Sequence, residues 1–358
     1  MKQPDREYKG RLLIQHGDNK LMYLHGRLTI NNDGKKTIVD LARYCKGIKR
    51  IGLRLRLVER LLRLEPRTAL RIDGGFLVSW QGKILLVNDD GSVSMEHSFR
   101  QGMNNPLSLV VINGLESFSL GVYYGEYWGN TNREAVAIWR RDFLGKWEKA
   151  YEFQPGSIQH IHGIVPDQKN DRVFILTGDM DEECYFWEAK DNFQTVRKYA
   201  GGSQQYRACV AHVDQESIIY ATDTPNEDNY IYRLTNPLNK PERIAVLQGT
   251  CIYGAALHTS RGEKYFAFIS AVEPDVTLSG WRYRITSRLG QGIKDCYSHI
   301  TLLSASGEVI DLFKAKKDWL PLWLFQFGNF RVADTDSMLA VTGQALSKYD
   351  NRTLEFDI

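Results

Sequence analysis

Two histidines, His160 and His162, are separated by one residue in a short apolar segment that is predicted to be a β-strand. Alternate side chains of a strand point to the same face, so both imidazoles are expected to reach one site. Asp179 follows the next predicted strand and would add a carboxylate to that site. Such a group can bind a divalent metal ion, or the imidazoles can act as base and acid near neutral pH. Both chemistries stay open here, as does a role as hydrogen-bonded structural histidines.

Acidic or amide residues recur at the ends of predicted strand–turn–strand hairpins. If these hairpin ends meet, their carboxylates form a ring suited to acid/base cleavage of a glycosidic bond. Crowding of like charges would raise the pKa of some of these carboxyl groups. The recurring residues are Asp89, Glu126, Asp179, Asp223, Glu273 and Gln344. For any one acid taken alone, the alternative is a turn cap that accepts hydrogen bonds from backbone amides.

Arginine and aromatic side chains lie near these acids in the chain. Arg133 and Arg207 are expected close to strand ends, where a guanidinium group fits a carboxylate or phosphate. Tyr124 and Trp128 flank Glu126 and would stack on a sugar ring, although aromatic residues on strands more often belong to a core. The predicted catalytic residues are His160, His162, Glu126 and Asp179, and the predicted substrate-binding residues are Arg207, Asp223, Glu273, Tyr124, Trp128 and Arg133.

The elements that must position these residues form an internal repeat. Hairpins of two apolar strands recur about every 45–50 residues, a period that is typical of a β-propeller blade with four strands and that a β-sandwich would not keep. Residues 1–69 fit the repeat least well and are predicted to form a first blade, and residues 281–296 to form an insertion within a blade. The prediction is an all-β chain with one β-propeller domain over residues 1–358, of seven blades, with six as the alternative.

Several of these motifs occur together in one known group of proteins. The segments 160–163, 177–183, 124–128 and 222–227, with Arg133 and Arg207, resemble uncharacterised sialidase-like (BNR or Asp-box) propellers associated with bacterial surface-polysaccharide genes. The resemblance covers residues 70–275 and implies a sialidase-like propeller that acts on carbohydrate. The Asp box itself, Ser-x-Asp-x-Gly-x-Thr-Trp, is altered: residues 142–147 hold an extra residue, and residues 189–196 lack the serine, glycine and tryptophan.

Composition and missing motifs narrow the function classes. The 358 residues carry a net charge of only +3, and we predict no nucleic-acid partner. The sequence has no Walker, Rossmann or nucleophile-elbow motif, so no nucleotide cofactor is indicated, and a divalent metal is the one cofactor considered. Five scattered cysteines without CxxC spacing and an N-terminus without an apolar signal region predict a cytoplasmic protein.

One segment, residues 43–67, contains nine Lys or Arg residues and two Glu. Its leucines recur at helical spacing, with arginines between them, at Leu53, Leu57, Leu61 and Leu64 and at Arg54, Arg56, Arg60 and Arg63. A basic amphipathic helix of this kind binds anionic membranes, which would suit a lipid-linked glycan and a location at the inner membrane. The alternative is a helix packed on the propeller with a solvated basic face.

Together these patterns predict a glycan-active enzyme, a hydrolase or lyase, that acts on a surface-polysaccharide precursor or fragment. Its site would use acid/base or metal-assisted chemistry at the central face of the propeller. Two alternatives remain: a non-hydrolytic glycan enzyme such as a transferase or epimerase at the membrane surface, and a non-catalytic glycan-binding or assembly propeller.

Overall fold

The computed structural model describes residues 1–238, 240–259, 262–336 and 338–358. Its strands form seven mostly antiparallel sheets, so the chain is an all-β, seven-bladed β-propeller, and the predicted blade number is confirmed. Each sheet is one blade with four main strands, here named a to d from the central axis outwards, and one of the seven sheets gains a short fifth strand.

Blade 1 contains Arg11–His16, Asn19–Leu24, Arg27–Asn32 and Lys35–Asp40. Blade 2 contains Ala69–Ile72, Gly75–Trp80, Lys83–Asn88 and Val93–Ser98. Blade 3 contains Val110–Ile112, Gly121–Gly125, Val136–Arg141 and Trp147–Phe153. Blade 4 contains His160–Asp167, Arg172–Gly178, Tyr185–Lys190 and Thr195–Gly201. Blade 5 contains Ala208–Asp214, Ser217–Thr222, Asn229–Leu234 and Glu242–Leu247. Blade 6 contains Thr250–His258, Lys264–Ala271, Tyr297–Ser304 and Val309–Lys316. Blade 7 contains Asn329–Val332, Leu339–Gln344, Arg352–Phe356 and, as its strand d, Arg6–Lys9.

The two ends of the chain meet in blade 7. The N-terminal strand Arg6–Lys9 pairs antiparallel with Arg352–Phe356, with Arg6 opposite Glu355 and Lys9 opposite Arg352. A two-residue strand, Asp334–Thr335, also leaves blade 7 and pairs in parallel with strand a of blade 1. These pairings complete blade 7 and join it to blade 1, which closes the ring.

The inner strands are apolar because each blade is packed between two others. Strand b of blade 2, Gly75–Trp80, is buried along its whole length, as is strand b of blade 5, Ser217–Thr222. Their near-continuous apolar sequences follow from burial on both faces, whereas the outermost strands alternate between partly buried and exposed residues. Apolar clusters at the blade interfaces therefore form the core.

Strand order fixes which connections share an end of the propeller. Two kinds of connection lie at the end of the propeller where each strand a begins. They are the turns between strands b and c, and the connections from strand d to strand a of the next blade. We call this end the upper face. The upper face includes the connection 41–68 between blades 1 and 2, the insertion 272–296 between strands b and c of blade 6, and the connection 317–328 between blades 6 and 7. These are the longest such segments, and they rim the central opening.

Helices are few and short. The α-helices are Ile48–Gly52, Arg56–Leu61 and Gly280–Ile285, and the 3-10 helices are Leu41–Tyr44, Asp181–Glu183 and Gln204–Tyr206. Among the described residues, none of these helices has the length and apolar character to cross a bilayer.

The predicted amphipathic helix over residues 43–67 differs from the observed segment. It is broken into two short helices, and its leucines divide, with Leu53 buried and Leu57 exposed. Two of its arginines point inwards: Arg56 contacts buried glutamates, and Arg60 is buried against Asp318. The sequence pattern assigned these arginines to a solvated face, but Glu59 and Glu65 within the segment, and Asp318 far along the chain, supply buried or half-buried acidic partners.

Candidate functional site

The upper ends of the inner strands surround a central cavity of about 1210 Å³. Five residues of the predicted ring or substrate set line it, namely Asp179, Arg207, Asp223, Glu273 and Gln344. An adjoining space of about 760 Å³ is lined by His160 and Trp128 and shares Asp179 with the first. The end-of-strand residues of blades 4, 5, 6 and 7 thus come together, as their position in the repeat predicted.

The two predicted histidines face each other beneath Asp179. Their Nε2 atoms are 2.9 Å apart, and both side chains are buried. His160 Nε2 is 3.4 Å from Asp179 Oδ2, and His162 Nε2 is 3.3 Å from Asp179 Oδ1. The Tyr127 ring packs on His160 with a centroid distance of 4.4 Å. The three predicted residues therefore form one compact cluster.

Backbone irregularities produce this cluster. The pairing of strands a and b in blade 4 shifts register between Ile161 and Gly163, so His162 occupies a β-bulge with no partner of its own. A bulge re-aims a side chain, and here it turns His162 into line with His160. Gly178 on strand b leaves room for this side chain, because a Cβ at position 178 would lie 2.9 Å from the His162 ring.

Arg207 holds the carboxylate of this cluster in place. Its Nη2 lies 2.9 Å from Asp179 Oδ1. Burial alone would raise the pKa of Asp179, but the contacts with His160 and His162 and the charge of Arg207 hold that pKa well below its usual value. The same Asp179 carboxylate raises the pKa of Arg207 against the opposing effect of burial. Asp179 is therefore ionised at neutral pH.

Two further acids of the cavity behave in the opposite way. Burial, reinforced by the negative charge of Asp223, raises the pKa of Glu273 to about 8, so its carboxyl group is protonated at neutral pH. Burial also raises the pKa of Asp223, despite the nearby charge of Arg207, and the Cys209 thiol donates to Asp223 Oδ2 at 3.2 Å. One cavity thus holds carboxyl groups with widely separated proton affinities.

One side of the cavity is cationic, which the sequence patterns did not predict. Arg67 and Arg331 both line the cavity, and the Arg67 guanidinium lies 5.3 Å from the centre of the Tyr253 ring. Burial would raise the pKa of Tyr253, but Arg67, Arg331 and the buried Arg11 more than offset this, and the pKa is lowered. Among the described residues, Arg67 has no carboxylate within ion-pair distance. A signal existed, because Arg11, Arg67, Arg207 and Arg331 all stand at or near the start of a strand a.

Glu126, a predicted catalytic residue, does not lie in the ring where the repeat had placed it. It follows strand b of blade 3 as expected, but its carboxylate faces its own blade, where it accepts from the Ala137 backbone amide at 2.9 Å and the Trp139 indole at 3.1 Å. Arg100 Nη1 donates to the same carboxylate at 3.1 Å. This is the structural capping role that the sequence left as the alternative for each single acid.

Two of the predicted substrate residues also lie elsewhere. The Tyr124 hydroxyl bonds His97 Nε2 at 2.8 Å inside the blade 2–blade 3 core, so Tyr124 offers no surface for a sugar. Arg133 pairs with Glu183 at 2.7 Å on the upper face, outside both cavities.

Asp89 and Trp128 lie at opposite ends of the propeller. Asp89 follows strand c of blade 2, one strand later than its supposed counterparts, and so it lies at the opposite end, paired with Arg71. The predicted hairpin in this blade joined strands b and c, which caused the shift. Trp128 does line the smaller space, where its ring carries the Arg100 guanidinium at 4.2 Å and its backbone carbonyl bonds His160 Nδ1.

The comparisons with known proteins agree with the fold. No family model and no curated protein matches this sequence. The WD40 propeller domain of Doa1 is similar in structure, with a TM-score of 0.51 at 10% identity over 99% of this chain and 96% of that one. A puromycin-hydrolyzing peptidase of Mycobacterium tuberculosis matches with a TM-score of 0.53 at 12% identity, over 98% of this chain and 51% of that one. An oligogalacturonate lyase matches with a TM-score of 0.48 at 9% identity, over 97% and 99%.

The similarities to the Doa1 domain and to the peptidase agree with a β-propeller fold. None of the three structures is a sialidase, and identities near 10% carry the fold alone. The function must therefore be argued from the cavity.

Proposed function

We propose that the protein is a glycan-cleaving enzyme, a hydrolase or lyase, that binds an acidic sugar residue in the central cavity. One observation carries this proposal: a cavity of oligosaccharide size holds a carboxyl group with a lowered pKa, a carboxyl group with a raised pKa, and a guanidinium group that no described carboxylate pairs with. Pairs of carboxyl groups whose environments separate their pKa values are the usual mark of acid/base assignments in glycosidases.

Glu273 is the proposed acid. With a pKa of about 8 it keeps its proton at neutral pH and donates it to the leaving glycosidic oxygen as the bond from carbon to that oxygen breaks. In hydrolysis, the ionised carboxylate of Asp179 orients the attacking water. In elimination, a base removes the proton next to the sugar carboxylate, and a carbon–carbon double bond forms as the leaving oxygen departs. Tyr253, with its lowered pKa, is the residue suited to that base.

The choice of an acidic sugar follows from the arginines. A guanidinium fork matches a carboxylate, and a half-buried guanidinium such as that of Arg67, with no acidic partner among the described residues, suits a ligand that supplies the opposite charge. Arg67 and the nearby Arg331 provide that site beside Tyr253. Acidic sugars occur in many bacterial surface polysaccharides, which agrees with the resemblance found in the sequence. We therefore extend the proposal to a surface-polysaccharide precursor or fragment.

Replacing Arg67 by alanine is expected to weaken binding of glucuronate-containing oligosaccharides by about 10- to 150-fold, the effect of losing a hydrogen bond to a charged group. Isothermal titration calorimetry measures this directly. Arg67→Lys should restore part of the affinity, because lysine keeps the charge and loses the fork. Arg71→Ala, which removes a paired arginine at the opposite end, is the matched control and should bind normally. Equal affinity of the wild type for neutral and acidic oligosaccharides of one length would contradict the proposal.

The same cavity leaves two alternatives with distinct outcomes. A transferase or epimerase would return oligosaccharides of unchanged or increased length, and a binding propeller would return its ligand unaltered. Mass spectrometry of the products separates both from cleavage.

A further inference from the structure

The hydrogen-bond pattern of the histidine pair defines which ring atoms carry protons. His160 Nδ1 lies 3.0 Å from the Trp128 carbonyl oxygen, and His162 Nδ1 lies 3.2 Å from the Ala208 carbonyl oxygen. A carbonyl oxygen only accepts, so each Nδ1 must carry the hydrogen of a neutral imidazole. Each Nε2 atom then carries a lone pair and no hydrogen, and yet the two Nε2 atoms lie 2.9 Å apart.

Asp179 adds further acceptors at the same point. Its two oxygens lie 3.4 and 3.3 Å from the two Nε2 atoms. Acceptors that converge in this way repel one another unless a cation lies between them. One metal ion between the three side chains would bind all of these lone pairs at once, since the ligand atoms of His160, His162 and Asp179 lie within 4.8 Å of one another.

We propose that His160, His162 and Asp179 bind a divalent transition-metal ion, with Zn²⁺ and Mn²⁺ as the favoured ions. This inference deepens the proposed function by assigning a metal to the same cavity. Metal bonds of about 2.1 Å set neighbouring ligand atoms roughly 3.0–3.4 Å apart, which the present separations match. Metal-bound histidines usually donate their other N–H to a backbone carbonyl, as both do here.

The ligand number points to a catalytic rather than a structural site. Three protein ligands leave positions open, and Asp179 borders both parts of the cavity. A metal there would accept an oxygen of the acidic sugar. Arg207 forms an ion pair with Asp179 at 2.9 Å and would orient the carboxylate without binding the metal itself.

The test is calorimetric titration of chelator-treated protein with Zn²⁺ and with Mn²⁺, combined with metal analysis of the purified protein. We expect one ion per chain and a loss of affinity of at least about 100-fold in His160→Gln and in Asp179→Asn, since even outer partners contribute 10- to 100-fold. His97→Gln, which alters a partly buried histidine outside the cavity, should bind metal normally. Absence of binding by the wild type, or binding that survives both substitutions, would overturn the proposal. The metal titration contains no glycan. Metal binding by a protein that binds no glycan would therefore contradict only the proposed function, and glycan binding by a protein that binds no metal would contradict only the metal site.

A second, independent observation concerns the upper face. Three of its segments, 41–64, 276–289 and 319–328, together contain one acidic residue, Glu59, and it is buried. They expose large apolar side chains that packing leaves uncovered, namely Ile48, Ile51, Leu55, Leu57, Trp281, Ile285 and Trp319. They also expose basic side chains, namely Arg43, Lys46, Lys49, Arg50, Arg282, Arg284 and Arg288.

The three segments form one continuous surface, which we call the basic–apolar rim. Arg63 donates to the Trp323 carbonyl at 2.8 Å, and the Tyr283 and Trp323 rings lie 6.3 Å apart, so the connections 41–68 and 317–328 and the insertion are joined. Across the cavity, the loops of blades 4 and 5 instead expose acids such as Asp181 and Asp228. The upper face is therefore asymmetric in charge.

We infer that the basic–apolar rim docks on an anionic lipid bilayer. Exposed tryptophan and aliphatic side chains beside lysine and arginine suit the headgroup boundary, and the absence of exposed acids in these segments complements anionic lipid. The rim borders the cavity through Arg63, Tyr283 and Trp323, so a membrane-linked glycan would reach the site.

Sedimentation with vesicles tests the rim. We expect binding to vesicles of phosphatidylglycerol and phosphatidylcholine, weak binding to phosphatidylcholine alone, and loss of binding at high salt. The variant Arg282→Ala/Arg284→Ala should weaken binding by roughly 25-fold, at about fivefold for each basic residue. Trp281→Glu/Ile285→Glu should abolish it, whereas Phe143→Glu/Leu144→Glu, which alters two residues about 80% exposed at the opposite end, should not. No sedimentation with anionic vesicles, equal binding to neutral ones, or equal loss in the control would overturn this inference.

Discussion

Replacing Glu273 by glutamine is expected to lower kcat by about 100- to 10,000-fold, the usual contribution of a general acid. Glutamine keeps the size and hydrogen-bonding capacity of the protonated carboxyl group but has no proton to transfer to a leaving oxygen. Affinity for the acidic oligosaccharide should change little, because recognition is assigned to Arg67. Steady-state kinetics that separate kcat from KM test this. A variant with a raised KM and an unchanged kcat would contradict the assignment.

The pH dependence of activity follows from the same group. Glu273 is protonated below its pKa of about 8, so the wild-type rate should fall as the pH rises through that value. Stability has the same sign: between the ordinary glutamate pKa of 4.5 and about 8, the folded chain holds a proton that the unfolded chain has lost, and the free energy of unfolding therefore falls as the pH rises. Glu273→Gln should remove this part of the fall. A Tm profile above pH 6 that is unchanged by the substitution would contradict the raised pKa.

Replacing Arg56 by alanine is expected to lower the free energy of unfolding by about 3–5 kcal/mol, the cost of leaving buried carboxylates without their cation. Arg56 contacts Glu59 at 2.9 Å, Glu65 at 2.7 Å and Asp350 at 2.8 Å, and it joins the connection 41–68 to blade 7. Burial and the charge of Glu65 already raise the pKa of Glu59 to about 7, whereas Arg56 and its neighbours hold the pKa of Glu65 at about 2 against burial. Without Arg56 both carboxyl groups would gain protons more readily, so the loss of stability should shrink as the pH falls.

Urea unfolding of Arg56→Ala beside Arg54→Ala measures this effect. Arg54 forms a single, partly exposed pair with Asp40 at 2.6 Å, and its removal should cost about 0–1 kcal/mol. If the two variants are equally stable, the Arg56 cluster does not hold the connection as described.

The sequence predicts the fold because the blade repeat is a property of strand spacing. It also predicts that Asp179, Asp223 and Glu273 meet, since residues at the same position in successive blades must share one end of the ring. The same rule cannot tell where a side chain points. Glu126 occupies the equivalent position in blade 3, but it turns to the amide of Ala137 and the indole of Trp139.

The cationic side of the site was harder to predict. Tyr253 follows a β-bulge in strand a of blade 6, where the register shifts between Cys251 and Tyr253, and bulges are not visible in an apolar strand pattern. Arg67 lies in a connection, two residues before strand a, so an alignment of strand ends omits it. In residues 43–67, long-range ion pairs reversed the expected orientation of Arg56 and Arg60, because their partners Asp350 and Asp318 are 294 and 258 residues away.

The central claim is that the cavity cleaves an acidic glycan, and mass spectrometry of the products tests it most directly. Wild-type protein and Glu273→Gln are incubated with those glucuronate-containing oligosaccharides that bind in calorimetry. We predict shorter products from the wild type only. Fragments whose summed mass exceeds that of the substrate by one water would show hydrolysis, and fragments of equal summed mass would show elimination. A wild-type protein that binds these oligosaccharides and leaves them at full length, or a Glu273→Gln variant that cleaves them at the wild-type rate, would contradict the account.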